Sequence, residues 1–324
     1  MLRSVCISFF LLLAGVLPGQ QLTSLDSLGA QFDAEYLSPS RMARALCSGL
    51  QTEEEKARAI FSWLAHHITY DLEAARSSRP ERIMYRTRAE LERLLERRKQ
   101  ERMRIALRDR KGVCVDYSEL FVAMCAAVGL KAGIVDGYVV HHPDKMGQQP
   151  LTSNHAWNWV SIDDHKRLVD VTYAAGATDW SGSAFRQKYD SVWFDVPPSI
   201  MIQTHYPENA SEQFLSQPVS GKAFAAQPFF FARSARYGIT DWSPSRGLIR
   251  RTDATELSLH FGRKPLNVFI IIDNLARDVP VRWEENTAFL DVDPGWLDEV
   301  TYLQLGVEEP GQRYLSLIAW KLVD

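Results

Sequence analysis

A cysteine at the start of a predicted apolar helix is the residue of this 324-residue chain best suited to nucleophilic chemistry. The apolar positions that follow it at helical spacing are Leu120, Phe121, Met124, Cys125 and Val128. Gly112 lets the chain turn tightly before Cys114. A thiol at a helix N-terminus lies at the positive end of the helix dipole, which favours the thiolate. The pattern therefore predicts a nucleophile at Cys114, whereas Cys125 is predicted to be a small buried apolar residue.

A base for this thiol is predicted at His155, and the base in turn needs an orienting group. His155 opens the first of two predicted strands, residues 156–162 and 167–173, on either side of a turn at Asp163-Asp164. If the turn has an even number of residues, paired residue numbers sum to 327 or 325, and Asp170 shares a face with His155. An odd turn would point Asp170 away. The hypothesis of a His155–Asp170 pair therefore depends on the turn length.

The carboxylate of Asp170 supports this pairing because it stands in an otherwise apolar, β-forming run and needs a partner there. An imidazole is a suitable partner, since the carboxylate fixes its tautomer and stabilises the imidazolium while the other ring nitrogen faces the thiol. Cys114, His155 and Asp170 are also acceptable zinc ligands, so a mononuclear metal site is an alternative. The hairpin pairing favours the hydrogen bond over the metal, and we expect neither a metal nor a cofactor.

Several segments of the sequence resemble the transglutaminase-like superfamily and, more narrowly, its kyphoscoliosis-peptidase-type branch. The segments that carry the resemblance are residues 60–63, 68–71, 112–114, 155–158, 168–170 with Thr172, 194–207 and 214–215. The resemblance covers roughly residues 50–220. It implies an α+β fold with a papain-like core, in which the helix of the nucleophile packs on an antiparallel sheet. It also implies roles for Cys114 as nucleophile, His155 as base and Asp170 as orienting acid.

Composition and charge exclude some classes of protein. A hydrophobic content of 46% with 24% charged residues is typical of a globular protein. The net charge of -3 gives no general attraction to nucleic acid or to an anionic membrane surface. Residues 81–111 are rich in Arg, but the interleaved Glu residues favour a solvated helix over an anionic partner.

The first 20 residues have the pattern of an export signal. Arg3 is followed by an apolar run, residues 5–17, which is too short to span a bilayer. We expect cleavage, a secreted or periplasmic location and no stable membrane insertion afterwards, with an uncleaved anchor as the alternative. Cys47, Cys114 and Cys125 would then remain, and an odd number leaves at least one thiol free in an oxidising compartment.

The predicted domains after the signal are residues 21–220, a cysteine acyl-transfer domain with N-terminal helices, and residues 221–324. The latter begin as a linker, and short strands separated by turn residues from Thr255 onward predict an antiparallel, sandwich-like β domain.

The function predicted from these features is that of a thiol enzyme. Cys114 would attack a peptide or carboxamide bond and form a thioester. The substrate would be a protein or peptide, and analogy with the family favours hydrolysis over crosslinking. A non-catalytic module that binds protein or glycan on the same fold is the alternative, and the oligomeric state is left open.

Overall fold

A computed structural model describes residues 18–35, 37–77, 83–149, 152–178, 182–309 and 312–324. Most of the predicted export signal, residues 1–17, lies outside the described residues. Within them, no helix combines the length and apolarity that crossing a membrane requires. The helices are α1 (Pro18–Gln31), α2 (Pro39–Leu46), α3 (Glu53–His67), α4 (Leu72–Ser77), α5 (Arg88–Asp109), α6 (Cys114–Ala127), α7 (Val171–Ala175), α8 (Pro198–Met201) and α9 (Gly221–Ala226).

The strands fall into two groups along the chain. Those of the N-terminal part are β1 (Thr69–Tyr70), β2 (Lys111–Gly112), β3 (Ala132–Val139), β4 (His155–Ile162), β5 (His165–Val169), β6 (Gly176–Thr178), β7 (Phe185–Gln187), β8 (Phe194–Val196) and β9 (His205–Pro207). Those of the C-terminal part are β10 (Phe229–Phe230), β11 (Ile239–Ser243), β12 (Leu248–Arg250), β13 (Glu256–Phe261), β14 (Val268–Ile272), β15 (Leu275–Arg277), β16 (Val281–Glu284), β17 (Thr287–Asp291), β18 (Tyr302–Glu309) and β19 (Gln312–Val323).

The N-terminal part is built on an antiparallel sheet with the strand order β8-β5-β4-β3-β9. Helix α6 packs on β3 and β4 through its apolar stripe, in which Leu120, Phe121, Met124 and Cys125 are fully buried. The side-chain amide of Asn158 on β4 donates to the backbone carbonyl of Ser118 at 3.2 Å and to that of Gly133 at 3.1 Å. The helix that begins with Cys114 is therefore fixed to the centre of the sheet, as an α+β papain-like core requires.

The hairpin β4–β5 has the register on which the His155–Asp170 hypothesis depends. Ile162 pairs with His165 and Asn158 with Val169, so paired numbers sum to 327, and the even turn is confirmed. Both turn residues, Asp163 and Asp164, have positive φ (51° and 62°), as the tightest hairpin turns require.

The second strand of this hairpin is shorter than predicted. It ends at Val169 instead of continuing to residue 173, and Asp170 is the N-cap of the short helix α7. Its Oδ1 atom accepts a hydrogen bond from the backbone N–H of Tyr173 at 2.8 Å. The physical reason is that aspartate is strongly preferred at an N-cap, which here outweighs the β preference of the apolar residues beside it.

The C-terminal part consists of two sheets that enclose an apolar core. One has the order β10-β19-β18-β14-β15 with β12 beside β19, and the other has the order β11-β13-β17-β16. Leu259 and Leu290 of the smaller sheet and Ile270 and Leu305 of the larger one share this core. The predicted antiparallel β domain is confirmed, although β12 pairs with β19 in parallel.

The two parts are joined by polar contacts. Arg236 pairs with Asp190 at 2.9 Å and with Glu309 at 3.0 Å. The side-chain amide of Gln203 donates to the backbone carbonyl of Ile239 on β11 at 2.5 Å. The C-terminal sheets therefore rest directly on the segment that leads into β9, while the domain boundary at residue 220 stays a prediction.

A buried ion pair between α1 and α3 gives a test of this packing. Arg58 bonds both carboxylate oxygens of Asp26 at 2.7 Å, and its side chain is only 7% exposed. Asp26→Ala is expected to lower the free energy of unfolding by about 3 kcal/mol, because it leaves the buried guanidinium without its counter-ion. Urea denaturation measures this loss. Glu92→Ala, which breaks the exposed pair with Arg88, is the control, and an equal shift in both variants would contradict the prediction.

Candidate active site

Cys114 is the first residue of α6, and the segment before it is tightly held. Gly112 pairs in parallel with Tyr70 of β1. The backbone N–H of Val113 donates to Oδ2 of Asp116 at 2.9 Å. A side chain at Gly112 would place its Cβ only 2.9 Å from Cβ of Asp116, so this turn requires glycine. The half-buried thiol is thereby presented at the open end of the helix, and the N–H of Cys114 has no partner within the helix.

Two acidic side chains near the start of α6, Asp116 and Glu119, are paired with Arg102 of α5. Its guanidinium lies 3.4 Å from Oδ1 of Asp116 and 2.6 Å from Oε1 of Glu119. Burial raises the pKa of Asp116, although the bond from Val113 and the charge of Arg102 act in the opposite direction. The arginine therefore compensates two acidic groups in the first turns of α6.

His155 and Asp170 meet as the hairpin register predicts. Nε2 of His155 lies 2.6 Å from Oδ2 of Asp170, and the two residues are 6% and 0% exposed. Because the carboxylate occupies Nε2, Nδ1 is the ring nitrogen left for a thiol. The first residue of the central strand β4 and the N-cap of α7 supply the two side chains.

Cys114 is one of the groups that raise the pKa of His155. Burial alone would lower the pKa of His155, but the charge of Asp170, its hydrogen bond, and a hydrogen-bonding and charge interaction with Cys114 raise it to about 10. For Asp170, burial acts to raise the pKa, but the charge of His155 and the hydrogen bonds from both histidines hold it well below its ordinary value. His155 is therefore the residue on which both Asp170 and Cys114 act, while the assembly of all three into one site stays a prediction.

A fourth residue, His205, belongs to the same group and was not predicted as a site residue. Its Nε2 lies 2.9 Å from Oδ2 of Asp170, and its Nδ1 lies 2.7 Å from Oγ1 of Thr204. The residue is 1% exposed, and burial lowers its pKa. The sequence signal was weak, because His205 lies in a long stretch without periodicity. Only the resemblance of residues 194–207 pointed to it.

Aromatic rings enclose the two histidines. The ring of His155 lies 6.0 Å from that of Trp157 and 5.2 Å from that of Tyr173. The ring of His205 lies 5.0 Å from Trp157 and 5.4 Å from Trp193. These rings keep water away from the carboxylate, which strengthens its hydrogen bonds.

His155, Asp170 and His205 also have the residue types and spacing of a metal site, since one ligand atom from each lies within 4.8 Å of the others. Two atoms bound to one zinc ion lie about 3.3 Å apart. The Nε2 atoms instead lie 2.6 and 2.9 Å from the carboxylate oxygen, which are hydrogen-bond distances. The residues thus fit a hydrogen-bonded group better than a set of metal ligands.

Comparison with known proteins adds family information to this geometry. Residues 40–168 match the family model of the Transglutaminase-like superfamily. Kyphoscoliosis peptidase of Mus musculus is 26% identical over 269 residues, which cover 83% of this chain and 38% of the relative. Kyphoscoliosis peptidase of Homo sapiens is 28% identical over 232 residues, which cover 71% of this chain and 32% of the relative. The match therefore spans only about a third of the length of these relatives.

A solved structure described as a TGase is 18% identical and covers 57% of this chain and 41% of its own, with a TM-score of 0.29. The match to the family model includes the Cys114 helix, the strand that begins with His155 and most of the strand that leads to Asp170. Over residues 40–168 this chain is similar to the transglutaminase-like superfamily.

Proposed function

We propose that the protein is a thiol acyl-transfer enzyme in which Cys114 is the nucleophile, His155 the general base and acid, and Asp170 the orienting acid. The observation that carries the proposal is the buried hydrogen bond of 2.6 Å between His155 and Asp170. His155 also interacts with Cys114, the first residue of α6. A carboxylate that fixes an imidazole next to a nucleophile is the arrangement that acyl transfer uses.

The first half-reaction follows from the atoms at the site. The imidazolium of His155 holds the proton that the Cys114 thiol has given up, and the sulfur attacks the carbonyl carbon of a peptide or carboxamide. The C–N bond breaks as the imidazolium of His155 returns the proton to the leaving amine. The acyl group is left on the sulfur as a thioester, and water or a second amine then removes it and regenerates the thiol.

The negative oxygen that develops during this attack needs a hydrogen-bond donor. The backbone N–H of Cys114 is the candidate, because it has no partner within α6 and belongs to the nucleophile itself. The positive end of the helix dipole adds to this stabilisation.

Hydrolysis of a protein or peptide substrate is the second half-reaction that we propose. The support is that the two mammalian relatives are named as peptidases. The alternative is a non-catalytic module that binds protein or glycan. The buried ion pair speaks against this alternative, since a surface that only binds has no need of an imidazolium that a solvent-free carboxylate stabilises.

Acylation by p-nitrophenyl acetate tests the nucleophile. We expect wild-type protein to release a burst of about one equivalent of nitrophenolate, Cys114→Ala to release none, and His155→Gln to react at least about 100-fold more slowly. Stopped-flow absorbance and mass spectrometry of the acyl-enzyme measure these outcomes.

Cys47→Ala is the matched control for that experiment. The thiol of Cys47 is buried, and burial raises its pKa to about 11 despite the nearby charge of Lys56, so its loss should leave the burst intact. An undiminished burst from Cys114→Ala would refute the proposed nucleophile.

The raised pKa of His155 predicts a particular dependence of stability on pH. Because the folded value, about 10, lies above the ordinary 6.5, the protonated ring adds stability that is complete below pH 6.5 and is lost as the pH rises through about 10. The difference in free energy of unfolding between wild type and His155→Gln should therefore shrink across that window. Urea denaturation at several pH values measures it, and a difference that is constant or grows would contradict the charge assignment.

The fate of the thioester can be measured directly. Protein acylated by p-nitrophenyl acetate is mixed with glycine ethyl ester, and the products are separated by mass spectrometry. We expect acetate to predominate over the acetylated amine at millimolar amine, as hydrolysis requires. Predominant amide formation would instead assign the enzyme to crosslinking.

A further inference from the structure

Two histidine rings, not one, bind the buried carboxylate of this site. We propose that His205 is a positioning residue of the reaction: a neutral second imidazole that holds Asp170 in the orientation in which Asp170 directs His155 toward Cys114. The inference rests on the proposed function and extends it to a residue outside the Cys114, His155 and Asp170 set.

The hydrogen bonds of Asp170 leave little freedom for its carboxylate. Oδ1 accepts from the backbone N–H of Tyr173 at 2.8 Å. Oδ2 accepts from His155 at 2.6 Å and from His205 at 2.9 Å. Without His205, one bond to each oxygen would remain, and Oδ2 would be held by His155 alone. The second imidazole therefore holds Oδ2 from another direction, so that the carboxylate keeps its place when His155 gives up or takes a proton.

The tautomer of His205 follows from its two hydrogen-bond partners. A histidine that donates from Nε2 while neutral must accept at Nδ1. The hydroxyl of Thr204 lies 2.7 Å from that nitrogen and is able to donate to it. The carboxylate of Asp170 can only accept, so it selects the form of His205 with the proton on Nε2, and the hydroxyl of Thr204 serves the other nitrogen.

The charge states of the two rings differ, and this supports separate roles. Burial lowers the pKa of His205, and the nearby charge of His155 acts in the same direction, against the hydrogen bond to Asp170. His155 carries the positive charge of the group, while His205 contributes a hydrogen bond without a charge. A neutral donor orients the carboxylate without competing with His155 for its charge.

The segment that contains His205 is itself rigidly held. Strand β9 pairs with β3, with His205 opposite Val139. Two residues earlier, the side chain of Gln203 bonds the carbonyl of Ile239 at 2.5 Å, and its own carbonyl accepts from the side chain of Gln227 at 2.9 Å. The C-terminal β part therefore contributes to the site by fixing the segment from which His205 reaches Asp170.

The test compares His205→Gln, whose amide can donate from nearly the same point as Nε2, with His205→Met, which has similar volume but no donor. The full-length protein is acylated by p-nitrophenyl acetate over a range of ester concentrations. We expect His205→Met to lower the maximal acylation rate constant about 10- to 100-fold, as loss of a hydrogen bond to a charged group does. The half-saturating ester concentration should change by less than about twofold, because His205 does not touch the ester.

Two further variants show whether a loss of rate comes from the missing hydrogen bond to Asp170 or from a general disturbance of the fold. His205→Gln should keep the rate constant within about threefold of wild type. His260 is a suitable control, since its Nδ1 bonds the hydroxyl of Thr287 at 2.9 Å in the C-terminal part, as His205 bonds Thr204. His260→Met should leave acylation unchanged. Equal loss in His205→Gln and His205→Met, or no loss in either, would overturn the inference.

A double-mutant cycle shows whether His205 acts through His155. In a His155→Gln background, His205→Met should slow acylation no further, because the ring that the carboxylate directs is absent. The same additional loss as in wild type would show that His205 acts by another route and would overturn the proposal.

Folding and the underlying function are checked separately. Circular dichroism and the urea midpoint are measured for each variant. If His205→Met does not fold, His205→Asn replaces it, since its shorter amide cannot reach Oδ2. His205→Asn should then lower the maximal acylation rate constant as His205→Met would, while His205→Gln should retain it. A wild-type burst that survives Cys114→Ala refutes the proposed function itself, whereas a Cys114-dependent burst that survives His205→Met refutes only the role of His205.

Discussion

The site depends on the cost of keeping one carboxylate charged where no water reaches it. Asp170 is fully buried, and an unpaired charge in such a place is unstable. Two imidazoles and the backbone N–H of Tyr173 bind its two oxygens. The donors come from three elements, β4, β9 and the N-terminus of α7, so these elements must meet at one point for the charge to be tolerated. The local geometry of the site is therefore fixed by the fold around a single acid.

The sequence predicted the part of this arrangement that depends on neighbouring residues. Asp163-Asp164 is a short polar turn between two apolar runs, and the parity of such a turn decides which side chains share a face. The observed register gives the parity that pairs His155 with Asp170. The predicted end of the second strand, residue 173, was wrong, because the strand ends at Val169. The capping preference of Asp170 competes with the β preference of its neighbours, and the sequence alone does not show which prevails.

His205 illustrates what local patterns do not contain. It is 35 residues from Asp170, and the connecting segment consists of short elements without a period. Its position depends on the pairing of β9 with β3, two strands that are distant in sequence. The same holds for the parallel contact of β12 with β19, since alternation predicts a strand but not its neighbour. The C-terminal strands were therefore predictable as elements, and their order was not.

The two imidazoles on Asp170 show how a site separates the roles of identical groups. Both approach the same oxygen, yet the pKa of His155 is raised and that of His205 is lowered. The two rings differ in which influence prevails. For His155, the charge and hydrogen bond of Asp170, together with the interaction with Cys114, outweigh the effect of burial. For His205, burial prevails over the hydrogen bond to Asp170, and the charge of His155 adds to its effect. One carboxylate therefore holds a charged ring on the side of Cys114 and a second ring whose hydrogen bond orients the acid.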